Sequence, residues 1–169
     1  MADALPILLL TTGGTIDKQY FDATSEYQVG DTTVGKMLEA ARVTLPFVIE
    51  EVMRKDSLEL DDCDRARLKD RVCAVQSSRI IITHGTDTMV ETAKELAGIS
   101  GKTVVLVGAL SPARFSDSDA AFNLGMAFAT AQLAPAGVYI TMNGTAFPSN
   151  RTIKDREKGA FVWTDRPDS

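Results

Sequence analysis

The chain has 169 residues, 44% of them hydrophobic and 24% charged, and its 18 Lys and Arg against 23 Asp and Glu give a formal net charge of −5. These proportions are those of an ordinary globular domain and exclude a disordered chain, a collagen-like fibre and a disulfide scaffold. An acidic chain without a basic run is a poor partner for nucleic acid, and one histidine with two cysteines is too small a set for the common zinc sites.

The apolar run Leu8-Leu9-Leu10 has no basic segment ahead of it and is too short for a signal peptide. It predicts a first strand over Pro6–Thr12. Val34, Met37, Leu38 and Ala41 recur at i, i+3, i+4, i+7 and predict a helix, and a second strand follows over Phe47–Met53. Asp61 and Asp64 form a capping pair for a helix with Leu68, Val72 and Val75 on one face. Cys63 and Cys73 fall ten residues apart on that helix, about 15 Å of rise, beyond disulfide reach. Reduced thiols fit a cytoplasmic protein. A third strand is predicted over Arg79–Thr83. The stripe Met89, Ala93, Leu96, Ala97 is helical and stops at Gly98, and a fourth strand covers Thr103–Ala109. Ser116 and Asp119 open a helix to Leu133, before a last strand over Gly137–Met142.

The runs Ile80-Ile81-Ile82 and Val104-Val105-Leu106-Val107 do not alternate with polar residues, as expected of strands buried on both faces. Strands alternating with helices predict an α/β fold: an open three-layer sandwich on a mostly parallel sheet, flavodoxin- or Rossmann-like, with residues 1–169 as one domain. No run approaches the ~20 apolar residues of a membrane-spanning helix, and there is no internal repeat.

Ligands of such sheets bind beyond the carboxyl ends of the strands. The predicted strands are followed there by Thr12-Gly13-Gly14-Thr15, Lys55-Asp56-Ser57, His84-Gly85-Thr86-Asp87-Thr88, Gly108-Ala109-Leu110-Ser111 and Asn143-Gly144-Thr145. Taken singly these are turn and capping residues. The first and third are more elaborate than a short turn requires. No G-x-x-x-x-G-K-[ST], G-x-G-x-x-G or G-x-S-x-G occurs, so the phosphate-loop, dinucleotide and serine-hydrolase signatures are absent. His84, the one histidine, precedes a glycine at a strand end and reads as structural. A threonine nucleophile would then need another activator, and a desolvated lysine beside a carboxylate can serve.

Thr12-Gly13-Gly14-Thr15-Ile16, followed far along the chain by His84-Gly85-Thr86-Asp87-Thr88-Met89, resembles the paired signatures of the bacterial-type L-asparaginases. Tyr27 with Gly30, Asp56-Ser57, Val107-Gly108-Ala109, Phe122-Asn123-Leu124 and Arg151-Thr152-Ile153-Lys154 extend the match to about Phe161, over the N-terminal domain of that family. The resemblance implies a nucleophile at Thr15, a tyrosine contact to it from Tyr27 on a lid loop between Asp17 and Gly30, and catalytic roles for Thr86, Asp87 and Lys154. It implies substrate binding by Gly14, Ser57 and Gly85 together with Thr86 and Asp87, with backbone amides near Gly14 and Thr86 facing an oxyanion. The implied reaction is hydrolysis of the side-chain amide of L-asparagine to L-aspartate and ammonia, with weaker action on L-glutamine and without metal or organic cofactor. The implied assembly is a homodimer or homotetramer in the cytoplasm. Two departures stand out. Leu58 falls where many relatives carry a polar substrate contact, and typical relatives continue into a smaller C-terminal domain. Both keep open an alternative, an amino-acid-binding module with little or no turnover.

Overall fold

The computed structural model describes residues 5–165. Residues 1–4 and 166–169 lie outside the described residues. In chain order the elements are β1 (Ile7–Gly13), β2 (Lys18–Phe21), β3 (Glu26–Val29), α1 (Val34–Ala40), β4 (Phe47–Lys55), α2 (Asp62–Ala74), β5 (Arg79–Thr83), α3 (Met89–Glu95), β6 (Thr103–Val107), α4 (Ala120–Leu133), β7 (Gly137–Met142), β8 (Thr145–Pro148), β9 (Thr152–Asp155) and β10 (Ala160–Trp163). The central sheet runs β4-β1-β5-β6-β7-β8. Every pairing in it is parallel except that of β7 with β8. The expected α/β architecture is present, and the five parallel strands have the 2-1-3-4-5 order of doubly wound sheets.

Both faces of the sheet are covered, which is why its central strands carry unbroken apolar runs, Leu8-Leu9-Leu10, Ile80-Ile81-Ile82 and Val104-Val105-Leu106-Val107. One face carries Leu8, Leu10, Ile80, Ile82, Val104 and Leu106 against α2 and α3, through Leu68, Val72, Met89, Ala93 and Leu96. The other carries Ile7, Leu9, Ile81 and Val105 against α1 and α4, through Val34, Leu38, Leu124 and Phe128. α2, α3 and α4 cross in the same direction along the sheet, yet α4 lies on the opposite face from the other two. The β6–α4–β7 crossover therefore has the opposite hand to its two predecessors, against the strong single-hand preference of such units. The face left vacant beside α3 is filled by Phe147 and Phe161, with Trp163 packed against them.

Several expected boundaries shift for local reasons. The Asp61–Asp64 capping box forms, each carboxylate accepting the other's backbone N–H. α4 starts at Ala120 rather than Ser116, because Asp119 spends its carboxylate on the amides of Leu110 and Ser111 instead of opening a longer helix. β4 runs on to Lys55, with a register shift against β1 between Thr11 and Gly13. Two hairpins, β2–β3 and β9–β10, occupy stretches expected to lack strands. Cys63 and Cys73 both lie on α2, free and exposed. No described helix is long and apolar enough to cross a membrane.

Ile81 is fully buried in a central strand. Ile81→Ala should lower the free energy of unfolding by about 2–5 kcal/mol, read as a lower urea midpoint with an unchanged slope.

Candidate active site

The strand order reverses between β1 and β5, so the crevice at their carboxyl ends is the topological switch point. Three segments meet there at backbone distance. Gly14 has φ of 88°, a conformation that L side chains rarely adopt, and a Cβ on it would sit 2.5 Å from the Gly85 amide nitrogen. A Cβ on Gly85 would sit 2.5 Å from Ser57 Oγ. The register shift of β4 brings Lys55 over this point, and its carbonyl accepts the Gly14 N–H at 3.1 Å. Gly14's own amide is thus committed. Thr15 is half-buried and begins a single 3-10 turn, Thr15–Asp17. Ile16 anchors that turn in a small buried cluster with Ala109 and Ala120. Thr12 lies inside β1, its hydroxyl donating to the Thr83 carbonyl at 2.7 Å.

Lys154 reaches the crevice from a strand distant in sequence. It sits on β9 opposite Phe161 of β10, and the Phe161 N–H donates to Asn143 Oδ1 at 2.9 Å, tying the hairpin to the end of β7. Lys154 Nζ donates to Thr86 Oγ1 at 2.9 Å and to Asp87 Oδ1 at 2.7 Å. Its side chain is 15% exposed, so this ion pair is largely removed from water on the lysine side. A cleft of about 190 Å³ between α3 and β9 opens beside the pair.

Ser57 is buried, and its hydroxyl has no hydrogen-bond partner among the described residues. Thr88 Oγ1 holds the Ser57 carbonyl at 2.8 Å. Next to it, burial pushes the Asp56 carboxyl up, but the Lys18 ammonium at 2.6 Å and the Leu58 amide outweigh burial and hold it below the ordinary range. Leu58 itself is 69% exposed. It lines a cavity of about 580 Å³ with Lys18, Tyr27, Arg54, Asp56 and Glu59.

The expected loop from Asp17 to Gly30 is instead an ordered two-stranded hairpin, β2–β3, with Tyr20 opposite Tyr27. Tyr27 is half-exposed, and its ring packs edge-on against Tyr20 and Phe115, with centroids 5.4 and 6.2 Å apart. Among the described residues no hydrogen bond joins Tyr27 to Thr15. The crevice therefore assembles Gly14, Thr15, Ser57, Gly85, Thr86, Asp87 and Lys154, while Tyr27 stands at its edge.

Two buried ionisable groups complete the surroundings. His84 is fully buried, Nδ1 lying 2.7 Å from the Gly85 carbonyl and Nε2 2.8 Å from Thr92 Oγ1. Burial lowers its pKa to about 4. Asp17 is 2% exposed, and burial raises its pKa against the hydrogen bonds it accepts from Thr33 and Thr32. Sequence reading singled out neither Asp17 nor Thr33. The one signal was a charged residue directly after the apolar Ile16.

This architecture is shared with solved asparaginases. The probable cytoplasmic L-asparaginase from Campylobacter jejuni superimposes with a TM-score of 0.80 at 31% identity, over 95% of this chain and 53% of that one. L-asparaginase I from Vibrio cholerae gives 0.83 at 27% identity, over 97% and 52%. Residues 6–161 match the asparaginase N-terminal family, to which the chain belongs. L-asparaginase 2 of Escherichia coli is 35% identical over 164 residues, 89% of this chain and 47% of its own length. The glutaminase-asparaginase of Acinetobacter glutaminasificans is 30% identical over 94% of this chain and 51% of its own length. The chain thus spans about half the length of the curated relatives it matches.

Unfolding returns the His84 imidazole to its ordinary pKa of 6.5, so below that pH the unfolded chain takes up a proton that the folded chain refuses. This contribution to stability is complete above pH 6.5, falls by about 3 kcal/mol as pH drops toward 4, and changes no further below. Because the chain has one histidine, proton NMR reads this directly. The imidazole resonances should not titrate down to about pH 5, and a midpoint near 6.5 would contradict the burial argument.

Proposed function

We propose that the crevice hydrolyses the side-chain amide of L-asparagine to L-aspartate and ammonia, with weaker action on L-glutamine. The observation that carries this reading is the bonding of Lys154 Nζ to both Thr86 Oγ1 and Asp87 Oδ1, next to the point where Gly14, the neighbour of Thr15, presses against Gly85. The family match and the names of the relatives support the same chemistry.

In this mechanism Thr15 Oγ attacks the amide carbon, and its proton passes through Thr86 Oγ1 to the lone pair of Lys154 acting as the free amine, which then gives it to the leaving nitrogen. The C–N bond breaks as the nitrogen is protonated, ammonia leaves, and an ester remains on Thr15. Water then attacks the ester, releasing aspartate and restoring the hydroxyl. The developing oxyanion faces backbone amides at the strand ends. Gly14's amide is already bonded to Lys55, so Thr15 and Thr86 are the donors we assign. The substrate is a zwitterion and needs one site of each sign. Asp87 takes the α-ammonium, and the unpartnered Ser57 hydroxyl takes the α-carboxylate together with backbone amides. A buried hydroxyl without a partner is costly, and a bound carboxylate would satisfy it. Tyr27 meets the substrate when the hairpin closes over the crevice.

We place the protein in the cytoplasm, on the support of its two free, exposed cysteines, and infer assembly as a homodimer or homotetramer, which light scattering tests. A binding module without turnover is favoured by one observation: exposed Leu58 offers no polar group beside Ser57.

Thr15→Ala should abolish ammonia release from asparagine while leaving the far-UV circular dichroism and melting temperature intact. Lys154→Met should come close to the same loss. Retained activity in Thr15→Ala would overturn the assignment, and calorimetric binding of aspartate without any ammonia release by the unmodified protein would favour the binding module. Between asparagine and glutamine, one methylene should separate kcat/KM by about 10–200-fold.

A further inference from the structure

We propose that Asp17 is a positioning residue that clamps the root of the Tyr27 hairpin and so seats Tyr27 over Thr15; this rests on the hydrolytic reading above. Asp17 bonds to chain on both sides of the hairpin. Its N–H donates to the Gly14 carbonyl at 3.1 Å, next to the nucleophile, and its carbonyl accepts the Gly30 N–H at 2.9 Å, where β3 ends. Its carboxylate Oδ1 accepts the Thr33 N–H at 2.9 Å and the Thr33 hydroxyl at 3.3 Å. Thr33 is the N-cap residue of α1, yet its hydroxyl makes no capping bond in its own helix. The cap hydroxyl is spent on Asp17, so the carboxylate ties the turn after Thr15 to the start of α1.

The chemistry of this carboxylate is unusual for a merely structural residue. It is 2% exposed, and the groups that stabilise its charge are neutral donors of Thr33 and Thr32. The charge acting on it comes from another carboxylate, Glu51, which opposes ionisation. A buried carboxylate without a cation is expensive. What it holds in return is a single geometry at both roots of Lys18–Val29. Beyond those roots the hairpin meets the body of the protein through the Lys18–Asp56 ion pair and the Tyr27–Phe115 ring contact, both partly exposed and individually weak. The root clamp is therefore what sets where Tyr27 comes down relative to Thr15, three residues beyond β1's Thr12.

The test combines hydrogen exchange with kinetics on the full chain. Asp17→Ala should raise amide exchange across residues 18–29 while leaving β1 and β5 protected. It should lower kcat roughly tenfold or more, with KM changed by less than about threefold. Asp17→Asn keeps an acceptor at the same place and should restore both readouts to within about threefold. In a Tyr27→Phe background, Asp17→Ala should add little further loss, because its effect passes through Tyr27. Full additivity with Tyr27→Phe, or unchanged exchange in the hairpin of Asp17→Ala, would overturn the proposal. If Asp17→Ala does not fold, Thr33→Val removes one donor and keeps the charge. Thr33→Val should loosen residues 18–29 alone, and unchanged exchange there would equally overturn the proposal. Exchange reads the clamp even if the unmodified protein releases no ammonia, so failure of the hydrolytic reading and failure of the clamp are separable.

Discussion

Lys154 meets Thr86 and Asp87 because one face of the sheet carries one helix fewer than successive same-handed crossovers would place there. α2 and α3 cover that face, and α4 crosses over the other. In the space beside α3 lie Phe147, Phe161 and Trp163, which anchor the β9–β10 hairpin. The same hairpin carries Lys154 back to the N-terminal end of α3, where Thr86 and Asp87 stand. Had α4 followed the hand of its predecessors, a helix would fill the place where the lysine is now held. The reversed crossover is thus the constraint that lets a residue near the end of the described chain join two residues from its middle.

The rest of the crevice depends on close backbone approach. Gly14 against Gly85, and Gly85 against Ser57, are contacts that any side chain at the glycines would prevent. They bring the ends of β1, β4 and β5 together by close contact at the two glycines. The polar groups packed underneath are mostly committed. Thr12 is bound to Thr83, Asn123 to the Gly108 carbonyl, and both His84 nitrogens have partners. Ser57 Oγ is buried without a hydrogen-bond partner among the described residues, as are the hydroxyls of Thr11, Thr83 and Thr141 in the strands.

Mobility and rigidity divide along the same line. The central strands β1, β5 and β6 are buried almost throughout, whereas β2 and β3 are mostly exposed or half-exposed. The hairpin is held at its base by hydrogen bonds to Asp17 and near its tip by an aromatic contact to Phe115. Of the elements around the crevice, this hairpin has the fewest buried residues and is held mainly at its roots.

The five parallel strands and the helices between them were legible in the sequence, because apolar periodicity is a local property and unbroken apolar runs report burial on both faces. The Asp61–Asp64 cap was legible for the same reason: a capping box is written within four residues. So were the crevice residues of β1, β4 and β5, which sit at strand ends where a parallel sheet must present its loops. The β7–β8 hairpin had a local signal that went unread, since Asn143 and Gly144 both take positive φ in a two-residue turn. Tertiary structure alone decided the hand of the α4 crossover and the burial of Asp17 beneath Thr33, while the meeting of Lys154 with Thr86 and Asp87 was expected through the family resemblance and not from any local pattern. Each of these depends on which face a segment packs against or on a partner far along the chain, and no periodicity in the sequence encodes either.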